Sequence, residues 1–181
     1  MEKIAEPLKG ALILKPNVFG DNRGYFFESF NENRFSDLVG EKIEFVQDNE
    51  SLSGPNILRG LHFQAPPFAQ GKLVRVVTGS VLDVFVDIRK DSETYGQHHA
   101  IKLTAENKLM AWIPPGFAHG FVSLEEGTRF LYKCTNVYNK ESEGSVLWSD
   151  PYLGINWNCN NPVLSEKDKV SPLFKEFKSP F

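Results

Sequence analysis

Along most of the chain, short apolar runs rich in Val, Ile, Phe and Tyr, some of them alternating with polar positions, recur between turn signals. The runs are "GALILKP", "GYFFESF", "KIEFVQDNESLS", "GKLVRVVTGSVLDVFVDIRK", "HHAIKLT", "LMAWIPPG", "FAHGFVSL" and "TRFLYKCTNVY". A period of two is that of a strand, whose side chains point alternately to opposite faces. Many such strands divided by turn residues predict an all-β sandwich or barrel. In "VLDVFVDI" the alternation assigns Asp83, Phe85 and Asp87 to one face and Val84, Val86 and Ile88 to the other. Gly79-Ser80, between two such runs, predicts a hairpin turn. Helical signals are confined to short stretches near the termini. In "NENRFSDLVG" an Asn precedes a partly apolar segment closed by Gly40, and "LSEKDKV" predicts a second short helix. The sum fits a double-sheet jelly roll, whose interior can hold one ligand.

Composition narrows the function. With 181 residues the chain is long enough for one domain spanning 1–181 to bury a core without a disulfide or a metal. Cys134 and Cys159 stand far apart with no paired spacing, and the opening "MEKIAEPLKG" lacks the apolar core of a secretion signal, so the expectation is a cytoplasmic, reduced protein. No apolar run approaches the roughly 20 residues that cross a bilayer, which argues against a membrane protein. A formal net charge of −3 argues against a general nucleic-acid binder, whose surface is usually basic. A local cluster of Arg and Lys for a small anion is compatible with that balance.

The polar residues inside apolar runs carry the chemistry. In "ILRGLHFQ", strict alternation puts His62 with Gly60 and Gln64 and turns Arg59 away, and a bulge at Gly60 would bring Arg59 back to the His62 face. His119 lies in "IPPGFAHGF", a P-x-G-x-x-H turn that delivers a histidine to the start of a strand. A metal site built on such a turn would take several histidines and a carboxylate. The chain has four histidines, His98 and His99 are adjacent and face opposite ways in a strand, and Gln64 stands where a paired ligand would be. No metal is therefore expected. Lys72 opens an apolar strand after "APPFAQG", and Tyr132 sits in "RFLYKC". Asp168, in "LSEKD", is a carboxylate of the kind that fixes a histidine tautomer. Arg23, Glu28, Gln47 and Asn49 are polar positions set among aromatic and apolar neighbours, where cavity-lining or interface roles are expected. Each of these residues, taken singly, has an ordinary structural reading as a core histidine, a surface lysine or a solvated carboxylate.

Taken together, "GDNRGYFFESF", "FVQDNESLS", "ILRGLHFQ", "AQGKLVRVVTGSVLDVFVDIRKDSETYG", "IPPGFAHGF", "FLYKCTNVY", "WSDPYLGINW" and "LSEKD" resemble the dTDP-4-dehydrorhamnose 3,5-epimerase family, the RmlC-type branch of the cupins, over nearly the whole chain. The resemblance implies a cupin-type double-stranded β-helix, no cofactor, and a homodimer paired through its sheets, in which the strand in "GALILKP" would otherwise be an unprotected edge. It also implies a reaction: dTDP-4-dehydro-6-deoxy-D-glucose is inverted at C3 and C5, the two carbons flanking the C4 ketone, to give dTDP-4-dehydro-L-rhamnose, the dTDP-L-rhamnose precursor. By the same resemblance His62 removes the protons, Asp168 orients it, Tyr132 returns a proton from the opposite face, and Lys72 stabilises the enolate oxygen. Arg23, Glu28, Gln47, Asn49, Arg59, His119, Glu143 and Lys167 would hold nucleotide and sugar, with Tyr138 stacked on thymine. Three alternatives stand beside this reading: an epimerase of C5 only or C3 only, a non-catalytic jelly roll that binds nucleotide sugars, and a metal-dependent cupin.

Overall fold

The computed structural model describes residues 1–181. Its strands are β1 (Glu2–Leu8), β2 (Ala11–Lys15), β3 (Val18–Asp21), β4 (Gly24–Phe27), β5 (Gln47–Ser53), β6 (Leu58–Gln64) and β7 (Lys72–Thr78), followed by β8 (Ser80–Asp87), β9 (His98–Thr104), β10 (Met110–Ile113), β11 (Phe117–Ser123), β12 (Thr128–Cys134) and β13 (Glu143–Ser145). Two α-helices, α1 (Glu32–Val39) and α2 (Glu166–Lys169), and a single 3-10 turn at Lys140–Ser142 complete the regular structure. A six-stranded sheet in the order β1-β2-β10-β7-β12-β5 faces a five-stranded sheet in the order β13-β6-β11-β8-β9, and β3 and β4 form a separate hairpin. No helix is long and apolar enough to cross a membrane. The architecture is the double-sheet jelly roll expected from the strand pattern, of the cupin type that the resemblance implies.

Three apolar clusters hold the layers. Between the sheets lie Ile13, Val74, Val76, Phe85, Phe117, Phe121 and Phe130. The outer side of the five-stranded sheet is covered by the C-terminal segment, where Leu153, Trp157 and Phe174 pack on Phe63, Val84 and Val86. On the outer face of the six-stranded sheet, α1 lays the fully buried Phe35 on Leu12, Leu14 and Trp112. Asn31 caps α1 by accepting from the Arg34 amide, and Gly40 closes it at φ 90°. The alternation of β8 holds, but every residue of the strand is buried. A strand covered on both faces has no solvent side, so its two faces differ only in which core they enter.

Two sequence expectations are corrected. The Gly79-Ser80 segment is not a hairpin turn, because β7 and β8 belong to different sheets. Gly79, at φ 77°, is a corner that carries the chain across the sandwich. A Cβ there would lie 2.4 Å from the Thr128 hydroxyl oxygen, which leaves room only for glycine. The strand in "GALILKP" is not an edge either: β2 is flanked by β1 and β10, and the unanticipated β1 takes the edge position. Its polar, exposed "EKIAE" has no clean alternation.

Candidate active site

A cavity of about 460 Å³ opens between the sheets, a size suited to a small ligand. Strand β6 contributes Arg59 and His62 to its lining, β7 contributes Lys72, β11 His119 and Phe121, β12 Phe130 and Tyr132, and the α2 region Leu164, Lys167 and Asp168. The bulge anticipated at Gly60 is present. In the β6–β11 ladder His62 pairs with His119 and Arg59 with Phe121, so three steps on β6 match two on β11. Gly60 has φ 135°, and a Cβ on it would lie 2.5 Å from the Gly120 Cα. The residue must therefore be glycine for two strands to come this close while Arg59 and His62 share the cavity.

The two histidines that face each other across this ladder each have a carboxylate. His62 Nε2 lies 2.5 Å from Asp168 Oδ1, with 27% of the His62 side chain exposed and 3% of Asp168. Burial alone would push the Asp168 carboxyl up. The bond to His62, the charge of that ring, the Ser165 hydroxyl and Lys167 outweigh it and hold the group below its ordinary value. A carboxylate bonded at Nε2 keeps the proton there and leaves Nδ1 as the basic nitrogen. His119 Nε2 lies 2.8 Å from Asp83 Oδ2. Asp83 is fully buried, and its Oδ1 has no hydrogen-bond partner. Asp87, four residues along on the same face, is also buried but receives Arg89, Ser92 and Thr94, which makes it a structural anchor.

Tyr132 enters from the opposite sheet. Burial and the neighbouring Cys134 push its phenol above the ordinary value, with Arg59 opposing, so it stays protonated and able to donate. Lys72 starts β7 opposite Cys134 of β12. Burial pulls its ammonium down, while Cys134, Asp83 and Glu143 pull it back up. Arg59, Lys72 and Lys167 give the cavity a cationic lining inside a net-acidic chain.

Other expected site residues fall around this centre. Gln47 accepts from the Tyr138 amide and donates to Asn49, which donates to the Cys134 thiol, so the two amides form a relay along β5 between the Tyr138 loop and the Lys72 strand pair. The Tyr138 hydroxyl donates to Glu143, which is ion-paired with Lys167. Gln64, at the position of the missing metal ligand, donates to the Phe68 and Val137 carbonyls and accepts from the Asn139 amide. It closes two loops rather than facing a ligand. His98 and His99 sit on β9 outside the cavity lining, and His99 packs its ring 5.5 Å from Phe85.

Arg23 and Glu28 are not at the cavity. Arg23 is at the exposed β3–β4 turn, where its guanidinium bonds Asp21 at 2.5 Å, and Glu28 pairs with Arg34 at 3.0 Å. Two polar residues escaped sequence reasoning as members of the site, one in the cavity lining and one behind it as the partner of His119. Ser51 follows Asn49 on the inward face of β5, and its hydroxyl is buried without a partner; the period of two that groups Gln47 with Asn49 extends to it. Asp83 was legible as a carboxylate in a strand with no evident polar side, a placement that demands a partner.

Comparison with known proteins adds an independent line. A sequence model of the dTDP-4-dehydrorhamnose 3,5-epimerase family matches residues 5–176. The chain is similar to the dTDP-4-dehydrorhamnose 3,5-epimerase of Salmonella typhimurium, with 55% identity over 174 residues, covering 96% of this chain and 95% of that one. Its fold is similar to that of the crystal structure of dTDP-4-dehydrorhamnose 3,5-epimerase from Elizabethkingia anophelis, with a TM-score of 0.94, 50% identity and 97% of each chain covered. A Legionella pneumophila RmlC structure in complex with dTDP-4-keto-L-rhamnose matches with a TM-score of 0.94 at 44% identity, covering 98% of this chain and 94% of that one.

Proposed function

The chain belongs to the dTDP-4-dehydrorhamnose 3,5-epimerase family, an isomerase family, and from that premise we propose which of its residues carry the reaction. The substrate is dTDP-4-dehydro-6-deoxy-D-glucose, bound in the inter-sheet cavity. His62, oriented by Asp168, removes the proton from the carbon beside the ketone. Lys72 meets the negative charge that develops on the C4 oxygen, and Tyr132 delivers a proton to the other face.

One observation carries this reading: the base stands on β6 of the five-stranded sheet and the phenol on β12 of the six-stranded sheet, with the cavity between them. A sugar lying between the layers thus has the base on one face and a protonated donor on the other, which is what inversion without a redox step requires. General acid and base catalysis contribute about 10²–10⁴-fold each, and one electrostatic donor to an enolate about 10²–10³-fold. Arg59 and Lys167 supply charge for the diphosphate, as fork and point charge. Gln47, Asn49 and His119 bound the nucleotide and sugar, and Tyr138 stacks on the base.

The assembly in this reading is a homodimer. Arg23 and Glu28, expected to hold nucleotide, lie away from the cavity of their own chain. The β3–β4 hairpin that presents Arg23 exposes Phe19 by 65%, Tyr25 by 61% and Phe26 by 70%. An apolar arm of this kind is suited to a second copy, whose cavity it would complete. Light scattering at the mass of a single chain, 20.5 kDa, at micromolar concentration would rule this out. Two free cysteines fit a reducing compartment, and we assign the enzyme to the cytoplasm.

The deciding experiment is an NMR spectrum of the product formed in deuterated water. Deuterium at both C3 and C5 with inverted configuration is expected. Label and inversion at a single carbon would make the enzyme a mono-epimerase, and no label would leave only nucleotide-sugar binding.

A further inference from the structure

The carboxylate that orients the base comes from a weak element. Helix α2 has four residues, too few to be stable by itself. Ser165 caps it by accepting from the Asp168 amide at 3.2 Å, which fixes its first turn but not its place against the sheet. That place is set by β13, the edge strand beside β6, in which Ser145 lies opposite His62 and Glu143 opposite Gln64. Ser145 and Glu143 are two residues apart and so point to one side of the strand. Both reach α2. Glu143 is ion-paired with Lys167, the residue next to Asp168, and the Ser171 hydroxyl just beyond the helix bonds the Ser145 hydroxyl at 2.9 Å. Asp168 reaches His62 between these two attachments.

We infer that Glu143 is a positioning residue for the base: its ion pair with Lys167, together with the Ser145–Ser171 bond, staples α2 to β13 at the depth that aims Asp168 at His62. The inference rests on the reading of His62–Asp168 as the basic pair. It also assigns Glu143 something other than contact with substrate. The Glu143 carboxyl is pushed up by burial, but Lys167, His62 and Tyr138 hold it below its ordinary value, so it carries its charge near neutral pH. Because Lys167 is also a phosphate-binding candidate, an anionic ligand that reaches it competes with Glu143, and occupancy of that subsite and orientation of the base share one ion pair.

The test is a double-mutant cycle of Glu143→Gln and Asp168→Asn, with Ser171→Ala as a milder break of the second attachment. Glu143→Gln should lower kcat by on the order of 10-fold, as displaced catalytic groups do, with KM changed by less than about 3-fold. In the Asp168→Asn background the same change should cost less than about 2-fold, because the group it positions is gone. Ser171→Ala, which removes no charge and no cavity group, should lower kcat severalfold in the same sense. A rise in KM at unchanged kcat, or a kcat loss that multiplies in full with Asp168→Asn, would overturn the inference and leave Glu143 as a substrate contact.

A second readout needs no turnover. In ¹⁵N-labelled protein without substrate, the His62 ring N–H in the short bond to Asp168 should resonate far downfield, then move upfield in Glu143→Gln and by less in Ser171→Ala. An unmoved resonance in both variants overturns the inference whatever the enzyme's substrate. A moved resonance in a protein that leaves the keto sugar untouched upholds the staple and discards the functional reading instead.

Discussion

His62–Asp168 and His119–Asp83 are the same chemical pair built twice, on histidines that face one another across a ladder, yet they are held in different ways. Asp83 comes from β8, a strand buried along its whole length and directly adjacent to the β11 that carries His119. Only 8% of the His119 side chain and none of Asp83 is exposed. Asp168 comes from a four-residue helix docked on the edge of the sheet, and its histidine is 27% exposed. The first pair is clamped by the ladder; the second is adjustable and open to the cavity. A base must meet its substrate and exchange protons, so the looser pair is the one suited to chemistry. The clamped pair is suited to fixing the shape and potential of the wall behind it.

The largest effect that could break this comparison is on proton exchange. His62→Ala should abolish both epimerisation and deuterium wash-in from solvent. Tyr132→Phe should lower epimerisation by about 10²-fold while His62 continues to exchange protons into substrate that is not inverted. His119→Ala should retain exchange and show its loss mainly in KM. If wash-in, followed by NMR, vanished with His119→Ala as completely as with His62→Ala, the two pairs would share one function. Equal loss in Tyr132→Phe would mean that the phenol is needed to form the enolate.

Stability sharpens the contrast in the reverse direction. His119→Ala leaves Asp83, a buried carboxylate, with neither oxygen bonded to protein, a loss of about 3 kcal/mol by analogy with broken buried pairs. For a domain of this size that is a fall in Tm on the order of 10 °C. His62→Ala leaves Asp168 beside the Ser165 hydroxyl and Lys167 on an element that can shift, at about 1–2 kcal/mol. Calorimetry that ranked His62→Ala as the more damaging of the two would invert the assignment of clamp and base.

The smallest effect is a displacement of the alkaline limb of kcat/KM, which reads the potential that Asp83 sets at Lys72. Burial holds the Lys72 ammonium below the ordinary 10.5. A lysine with a lowered value loses its charge as pH rises through that value, so activity that needs the ammonium should decline before pH 10.5. Asp83 is one of the groups that pull it back up. Asp83→Asn should therefore move the decline to lower pH, and Lys72→Arg should move it higher at a cost in rate. An unmoved limb in Asp83→Asn would show that the clamped pair has no electrostatic bearing on the reaction.

Much of this was legible in the chain, for local reasons. Alternation marked several of the strands because burial of one face against the other sheet imposes a period of two, and Asn31 and Gly40 marked the ends of α1 because caps are short-range chemistry. The glycine in "RGLH" announced a bulge, since an extra residue with an unusual φ is what returns Arg59 to the His62 face. Strand β1 escaped notice because an exposed edge strand buries too little to show a pattern. The β7–β8 corner was misread as a hairpin because a tight glycine turn looks the same whether the next strand pairs with the last or crosses to the other sheet.

By itself, then, the sequence determined the strand-rich layering, the caps, and the kinds of groups available for chemistry, since each depends on residues within a turn or a few strand positions. The family resemblance named Asp168 as the partner of His62, but no local pattern did, and only the tertiary structure gave His119 its Asp83. Asp168 is 106 residues from His62, and Asp83 is 36 from His119. It also decided that Gln64 is consumed in loop closure, and that Arg23 stands on an outlying hairpin instead of in the cavity. Such pairings are set by which strands end up adjacent once both sheets have buried their apolar faces. That outcome belongs to the sum of all long-range contacts and leaves no mark at any single position.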